Sequence, residues 1–179
     1  MDKRVFENPV IGDRVTFLKT SEETNGAYTL LEIDLIAKGG NALHYHRSFS
    51  ETFTTVEGEL SLQAGNEHKV LKPGASYTIA PMQVHRFYNA GDKPIRFQVE
   101  FRPGHAGFEN SMKIAYGLAR DGLTDKKSVP KKFSHMALLI TMSDTNIPGF
   151  LSLLMPLFKW KAKQADMKKV YSELVAKYC

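Results

Sequence analysis

The chain has 179 residues, 42% of them hydrophobic and 24% charged, with a formal net charge of +5. That length suits one ordinary domain with a modest appendage, and the composition excludes both a disordered chain and an integral membrane protein. The charge is uneven: residues 1–104 carry 12 basic and 13 acidic side chains, residues 105–158 six and four, and residues 159–179 six and two, so the basic excess sits in the tail.

From Asp13 to Arg102, short runs rich in Thr, Val, Ile, Leu, Tyr and Phe alternate with Gly, Asn and Pro punctuation, the pattern of many strands and tight turns. Residues 28–37, YTLLEIDLIA, put Leu31, Ile33 and Leu35 on one face and Glu32 and Asp34 on the other, a strand with one wet side. In GELSLQAGNEHKVL two strands meet around Ala64-Gly65-Asn66-Glu67, where Gly65 or Asn66 can take positive φ. Further strands follow in KPGASYTIAP and HRFYNAGDKPIRFQVEFRPG, with turns at Pro73-Gly74 and at 90–94. Near the end Ile95, Phe97, Val99 and Phe101 alternate with Arg96, Gln98, Glu100 and Arg102, and parity leaves open which set faces inward. Short strands at such regular spacing predict a sandwich or closed barrel.

After Pro103-Gly104 the period changes. Phe108, Met112, Ala115, Tyr116 and Ala119 share one face of a helix that Asp121-Gly122 ends. A lysine-bearing loop leads to a second short helix around Met136 to Met142. The run IPGFLSLLMPLF, 147–158, is too short to span a bilayer, and Pro156 disfavours one uninterrupted helix. Packing of this run on the domain or on a second subunit is preferred to a membrane-surface contact through 147–161, which its Trp160 and lysine flank would otherwise suit. Met167, Val170, Tyr171, Leu174, Val175 and Tyr178 form the stripe of a last amphipathic helix, with Lys169, Glu173 and Lys177 on another face. The expected organisation is a barrel domain, 1–104, and a helical extension, 105–179, packed on the barrel or on a partner subunit. No helix-turn-helix, zinc-finger or RNP-like pattern accompanies the basic tail, so no nucleic-acid partner is expected. Cys179 is the one cysteine, and MDKRVFENPV lacks the apolar core of a signal peptide, so the expected location is the cytoplasm.

The chemistry concentrates in HYHRSFSETF, 44–53. Spaced by two, His44 and His46 would point to one face of a strand but to nearly opposite sides of a helix. Glu51 lies an odd number of residues from both, so it faces them only if RSFS breaks the strand. His85, in APMQVHRFYN, opens another strand. Three neutral imidazoles and a carboxylate suit one divalent transition metal, whether Fe, Mn, Ni, Co or Zn, and leave two positions of an octahedral ion open. Phe53 and Thr55 on the Glu51 face, Phe87 on the His85 face, and Tyr77 are the expected lining of a substrate pocket, a wall suited to an organic molecule with few charges. His68 is expected in solvent, and His105 and His135 at caps or on the surface.

These two motifs resemble those of the cupin superfamily. The first, a glycine, a short spacer, His-x-His, three or four residues, Glu, six residues and Gly, reads here Gly39, four residues, His44-Tyr45-His46, four residues, Glu51, six residues, Gly58. The second, a glycine, five residues, Pro-x-Gly, two residues, His, three residues and Asn, reads Gly74, six residues, Pro81-Met82-Gln83, one residue, His85, three residues, Asn89. The departures, Gln83 in place of glycine and spacings off by one, concern turns and leave all four ligand positions filled. Over roughly residues 27–104 the resemblance implies a mainly β fold, the double-stranded β-helix or jelly-roll barrel, here followed by C-terminal α-helices. It also implies a metal on His44, His46, Glu51 and His85, with Glu51 a candidate base, and a homodimer, since similar cupins are often dimers. Cupins catalyse many reactions and some catalyse none, so fold does not give function. The expected function is metal-assisted, dioxygenase-like oxidation or rearrangement of a small organic molecule; the alternative is a non-catalytic binding or regulatory protein whose metal holds a ligand.

Overall fold

A computed structural model describes residues 4–179. Among these, nine strands form two antiparallel sheets: β1 Val5–Asn8, β2 Asp13–Lys19, β3 Thr29–Leu35, β4 Ser50–Glu57, β5 Leu60–Ala64, β6 Glu67–Leu71, β7 Ser76–Ile79, β8 His85–Tyr88 and β9 Ile95–Arg102. One sheet runs β1-β2-β3-β9-β4-β7 and the other β6-β5-β8. This is the jelly-roll arrangement that the cupin resemblance implies, one form of the sandwich or barrel that the strand spacing predicts.

The core follows from period-two burial. Leu31, Ile33 and Leu35 are buried on β3, and Ile95, Phe97, Val99 and Phe101 on β9. The choice between the two faces of β9 is made by its neighbours: Phe97 stands opposite Ile33 on one side, and Val99 opposite Phe53 on the other. Each such side chain removed from water contributes roughly 1.5–3 kcal/mol. Outside, Arg96 donates to Asp34 at 2.7 Å, and Gln98 to Glu32 at 3.2 Å. In the hairpin, Ala64 pairs with Glu67 and Gly65 takes φ +60°. Gly58 turns β4 into β5 at φ +79°, and a Cβ there would lie 2.5 Å from Ile95 Cγ2, so no other residue fits without displacement.

The rest is helical: α1 Ala106–Arg120, α2 Phe133–Met142, a 3₁₀ turn Gly149–Leu154, α3 Met155–Ala162 and α4 Asp166–Tyr178. His105 caps α1, its Nδ1 accepting from the Phe108 amide at 2.9 Å, a helix-end role that meets the expectation for it. The helix has two apolar sides. Phe108, Met112, Ala115 and Tyr116 pack on the barrel core, while Ile114 and Leu118 join Leu138, Met167 and Leu174. Buried Glu109 ties α1 to the barrel by accepting from Ser21 N at 2.6 Å and Thr29 Oγ1 at 2.5 Å.

His68 is exposed, as expected. His135 is not on the surface: it is buried in the first turn of α2, which is wedged between α1 and α3. Pro156 does divide the run 147–158, standing in the first turn of α3 after the 3₁₀ turn. Only part of that run packs inward. Met155 and Phe158 are buried against Ala137, with Phe158 stacked on Phe133 at 5.3 Å, but Phe150, Leu153, Leu154 and Leu157 are exposed.

The seat of α4 depends on one small residue. Gly117 of α1 has no side chain where the Tyr178 ring lies, and a Cβ there would overlap that ring. Tyr178 in turn donates to Asp121 Oδ2 at 2.8 Å. Gly117→Val should therefore unseat α4, lowering stability by about 1–3 kcal/mol. Hydrogen exchange should rise across 166–178 while β3 and β9 keep their protection; unchanged exchange in α4 would contradict this packing.

Candidate metal centre

Each of the four polar side chains arrives on a separately braced piece of backbone. His44 lies outside the named strands, in an isolated antiparallel bridge with His85: His44 N donates to His85 O at 3.0 Å and His85 N to His44 O at 2.8 Å. The expected strand alternation holds locally without a full strand. His46 follows, its carbonyl accepting from Met82 N at 2.7 Å. Bends at Arg47 and Ser48 form the break that RSFS suggests, and β4 then begins at Ser50. Glu51 is held in register between Phe101 of β9 and Ile79 of β7.

The ligand atoms of His44, His46, Glu51 and His85 lie within 4.8 Å of one another. His46, Glu51 and His85 are buried, and His44 is the half-buried member on the solvent side.

Hydrogen bonding at the back of each ring decides what the front can do. His44 Nδ1 lies 2.8 Å from Ala42 O, His46 Nδ1 3.2 Å from Asp144 O, and His85 Nδ1 2.9 Å from Gln83 O. A carbonyl can only accept, so each Nδ1 carries the proton and each neutral ring presents an Nε2 lone pair. Two of these lone pairs face the carboxylate: Glu51 Oε2 is 2.5 Å from His85 Nε2 and 3.6 Å from His46 Nε2. With neutral rings none of the three atoms has a hydrogen-bond partner, and all three are buried. Facing lone pairs repel, so the arrangement requires a cation, either a proton on His85 or a metal ion. The donor set, three imidazole nitrogens and one carboxylate oxygen, fits a divalent transition metal.

Electrostatics agree with that reading. Burial pushes His44 down to about 4 and also lowers His46, keeping both neutral. For His85 burial acts in the same direction, but the Glu51 carboxylate outweighs it and the pKa is raised. Burial would raise Glu51; the His85 contact and the other imidazoles outweigh it and hold the carboxyl below its usual range. Glu51 thus stays ionised, and His85 holds the proton that a metal would replace.

The expected pocket residues occupy different depths. Phe53 is buried beside the cluster, its ring 6.3 Å from His85 and 5.9 Å from Phe87. Phe87 also meets Phe97 at 5.1 Å. Thr55 is four residues along β4 from Glu51, about 13 Å away at ordinary strand rise, and its hydroxyl donates to Leu71 O at 3.2 Å. Tyr77 stands opposite Phe53 on β7, facing inward with it, and lies under Lys69 Nζ at 4.8 Å.

Other residues near the cluster carry no metal-ligand signature in the sequence. Phe49 stacks on His46 at 4.4 Å, and Phe108 of α1 meets His46 edge-on at 5.7 Å. Asp144 also stands out: beyond its carbonyl, its Oδ2 accepts from Arg47 N at 2.7 Å, Ser48 N at 2.8 Å and Ser48 Oγ at 2.8 Å. It adopts φ +50°, a conformation that Asp tolerates better than most residues. Asn146 adds a two-way backbone bridge to Tyr45. The loop after α2 therefore clamps the histidine loop. In the turn at Ala80 to Gln83, the left-handed residue is Met82, at φ +69°, so the absence of glycine at position 83 is accommodated one position earlier.

A two-sheet jelly roll with three imidazoles and a carboxylate gathered in its interior defines a β-barrel protein with a site that can hold a metal. Residues 32–101 match the family model described as the cupin domain. Among solved structures, an RmlC-like cupin from Shewanella frigidimarina is 22% identical with a TM-score of 0.50, covering 57% of this chain and 86% of that one. A predicted oxalate decarboxylase from Thermotoga maritima is 18% identical with a TM-score of 0.48, covering 51% and 80%. An uncharacterized conserved protein with a double-stranded β-helix domain from Klebsiella pneumoniae is 25% identical with a TM-score of 0.45, covering 51% and 76%. The likeness to the Shewanella protein shows the fold. A search of curated proteins found no match.

Two outcomes follow from this geometry. Asp144→Ala should lower Co(II) or Mn(II) affinity about 10–100-fold, the usual effect of losing a ligand's support, with circular dichroism unchanged; Asp144→Asn should fall between. Equal affinities by calorimetry would remove Asp144 from this role. Because the His85 pKa is raised, a proton must leave when metal binds. Affinity should weaken as pH falls below that pKa, and titrations in buffers of different ionisation enthalpy should report proton release on metal binding that declines as pH rises.

Proposed function

We propose that this chain is a metal-dependent cupin protein that binds one divalent transition ion through His44, His46, Glu51 and His85 and acts on a small organic molecule by oxidation with dioxygen or by rearrangement. The single observation that supports the reading most is the approach of buried Glu51 Oε2 and His85 Nε2 to 2.5 Å with no partner for either in the neutral state. An ion held by these four side chains would supply Lewis-acid polarisation of an oxygen-bearing substrate.

The chain's own residues supply the rest. His44, on the solvent side, is the ligand that a substrate meets first. Phe53 beside His85, and Phe49 and Phe108 around His46, wall the site with aromatic faces and favour a substrate with few charges. Glu51, ionised and buried, would be the carboxylate that takes a proton from a substrate hydroxyl. Ala42, Gln83 and Asp144 keep the rings from rotating.

A second reading rests on the clamp between Asp144 and the 46–48 loop, which links the site to the helical extension. In that reading the metal holds a ligand and the extension transmits its presence. The two are separated by oxygen uptake and product formation on phenolic and enolic compounds with anaerobically loaded protein. Turnover supports the enzyme; metal and ligand binding without turnover, with exchange altered in α2 and α3, supports the binding protein. His46→Ala should cut metal content at least about tenfold. Retention of full metal content in that variant would sink both readings.

A further inference from the structure

The run 147–161 presents an apolar surface that the fold leaves uncovered. Phe150 is 84% exposed, Leu153 68%, Leu154 44%, Leu157 46% and Trp160 59%, while Met155 and Phe158 of the same segment turn inward against α2. The segment is therefore anchored from behind and offers its remaining large side chains outward. Side chains of this size are not normally left in water together.

The charge around the patch selects its occupant. Residues 145–165 contain no Asp or Glu, and Lys159, Lys161 and Lys163 lie on or at the end of α3. One of them, Lys161, is paired with Asp166 at 2.8 Å, and Lys168 and Lys169 begin the next basic stretch on α4. A second copy of this chain docked on the patch would bring together two segments that each carry lysines and, over 145–165, no carboxylate, a like-charge juxtaposition that opposes association. An anionic lipid surface satisfies both features, accepting aliphatic and aromatic side chains below the headgroups and lysines among them. Trp160, between Lys159 and Lys161, has the amphipathic ring suited to that boundary. No helix among the described residues is long and apolar enough to cross a membrane, so the contact is interfacial.

We propose that the 3₁₀ turn and α3 dock this protein on anionic bilayers, with Phe150, Leu153, Leu157 and Trp160 inserted at the headgroup boundary and the lysines of 159–163 on the lipid charge. This is independent of the metal site and of the reading given for it.

Trp160 is the single tryptophan of the chain, so its emission reports on the patch alone. Full-length protein is titrated with phosphatidylcholine vesicles, with and without phosphatidylglycerol. The expected result is a blue shift and quenching by brominated lipid, with partitioning at least about tenfold stronger on the anionic vesicles and weakened by salt. Leu153→Asp with Leu157→Asp should abolish the shift while leaving circular dichroism and metal content unchanged, since both side chains are exposed. Lys159→Glu with Lys163→Glu should remove the preference for anionic lipid. The proposal is overturned if Trp160 emission is unmoved by anionic vesicles, or if the charge reversal changes nothing. It is also overturned if the blue shift follows protein concentration without lipid, together with a dimer mass in light scattering that Leu157→Asp abolishes; a second copy then covers the patch.

Discussion

The site depends on one repeated interaction, a backbone carbonyl holding the Nδ1 proton of each histidine. Ala42, Asp144 and Gln83 supply these carbonyls. Without them each imidazole could turn or shift its proton to Nε2, and Glu51 would then face donors that satisfy it. With them, buried lone pairs point at a buried carboxylate, an arrangement stable only with a cation between. The apolar packing of Phe49, Phe53 and Phe108 around the rings raises the cost of leaving that charge uncompensated, since burial weakens solvent screening.

The second constraint is the geometry of strands. Alternation alone would put Glu51 on the face opposite His44 and His46, and the bends at Arg47 and Ser48 reverse that parity. The bends persist because Asp144 occupies their amides. A surface carboxylate contributes little by charge in such a place; here it satisfies donors that the turn would otherwise leave open. The loop after α2 thus joins the barrel as part of the site's support, and Tyr45 bridged to Asn146 continues the same join. The helical extension is accordingly more than an addition to the barrel, because one of its loops decides where His46 points.

Much of the barrel was legible residue by residue. Leu31, Ile33 and Leu35 alternate with acidic neighbours, and the structure buries that set. Pro156 marks the boundary between the 3₁₀ turn and α3 that it was expected to impose. His105 caps a helix as its place after Pro103-Gly104 suggested. The two faces of β9 looked equivalent by parity, because both contain side chains long enough to reach a neighbour. His135 was misplaced for a related reason: burial on a short helix is set by the helices on either side of it, not by the residue itself.

By itself the sequence determined which side chains alternate, where the chain must turn, and which four polar residues share the spacing of the cupin motifs, since these depend on local periods and on residue chemistry. Tertiary structure alone decided which nitrogen of each histidine faces Glu51, because the carbonyls that choose it belong to positions as far apart as 42 and 144, and a carbonyl has no signature in residue type. It also decided that Phe150, Leu153 and Trp160 stay in solvent. An apolar run announces that it must be covered, but what covers it depends on which elements the completed fold brings within reach.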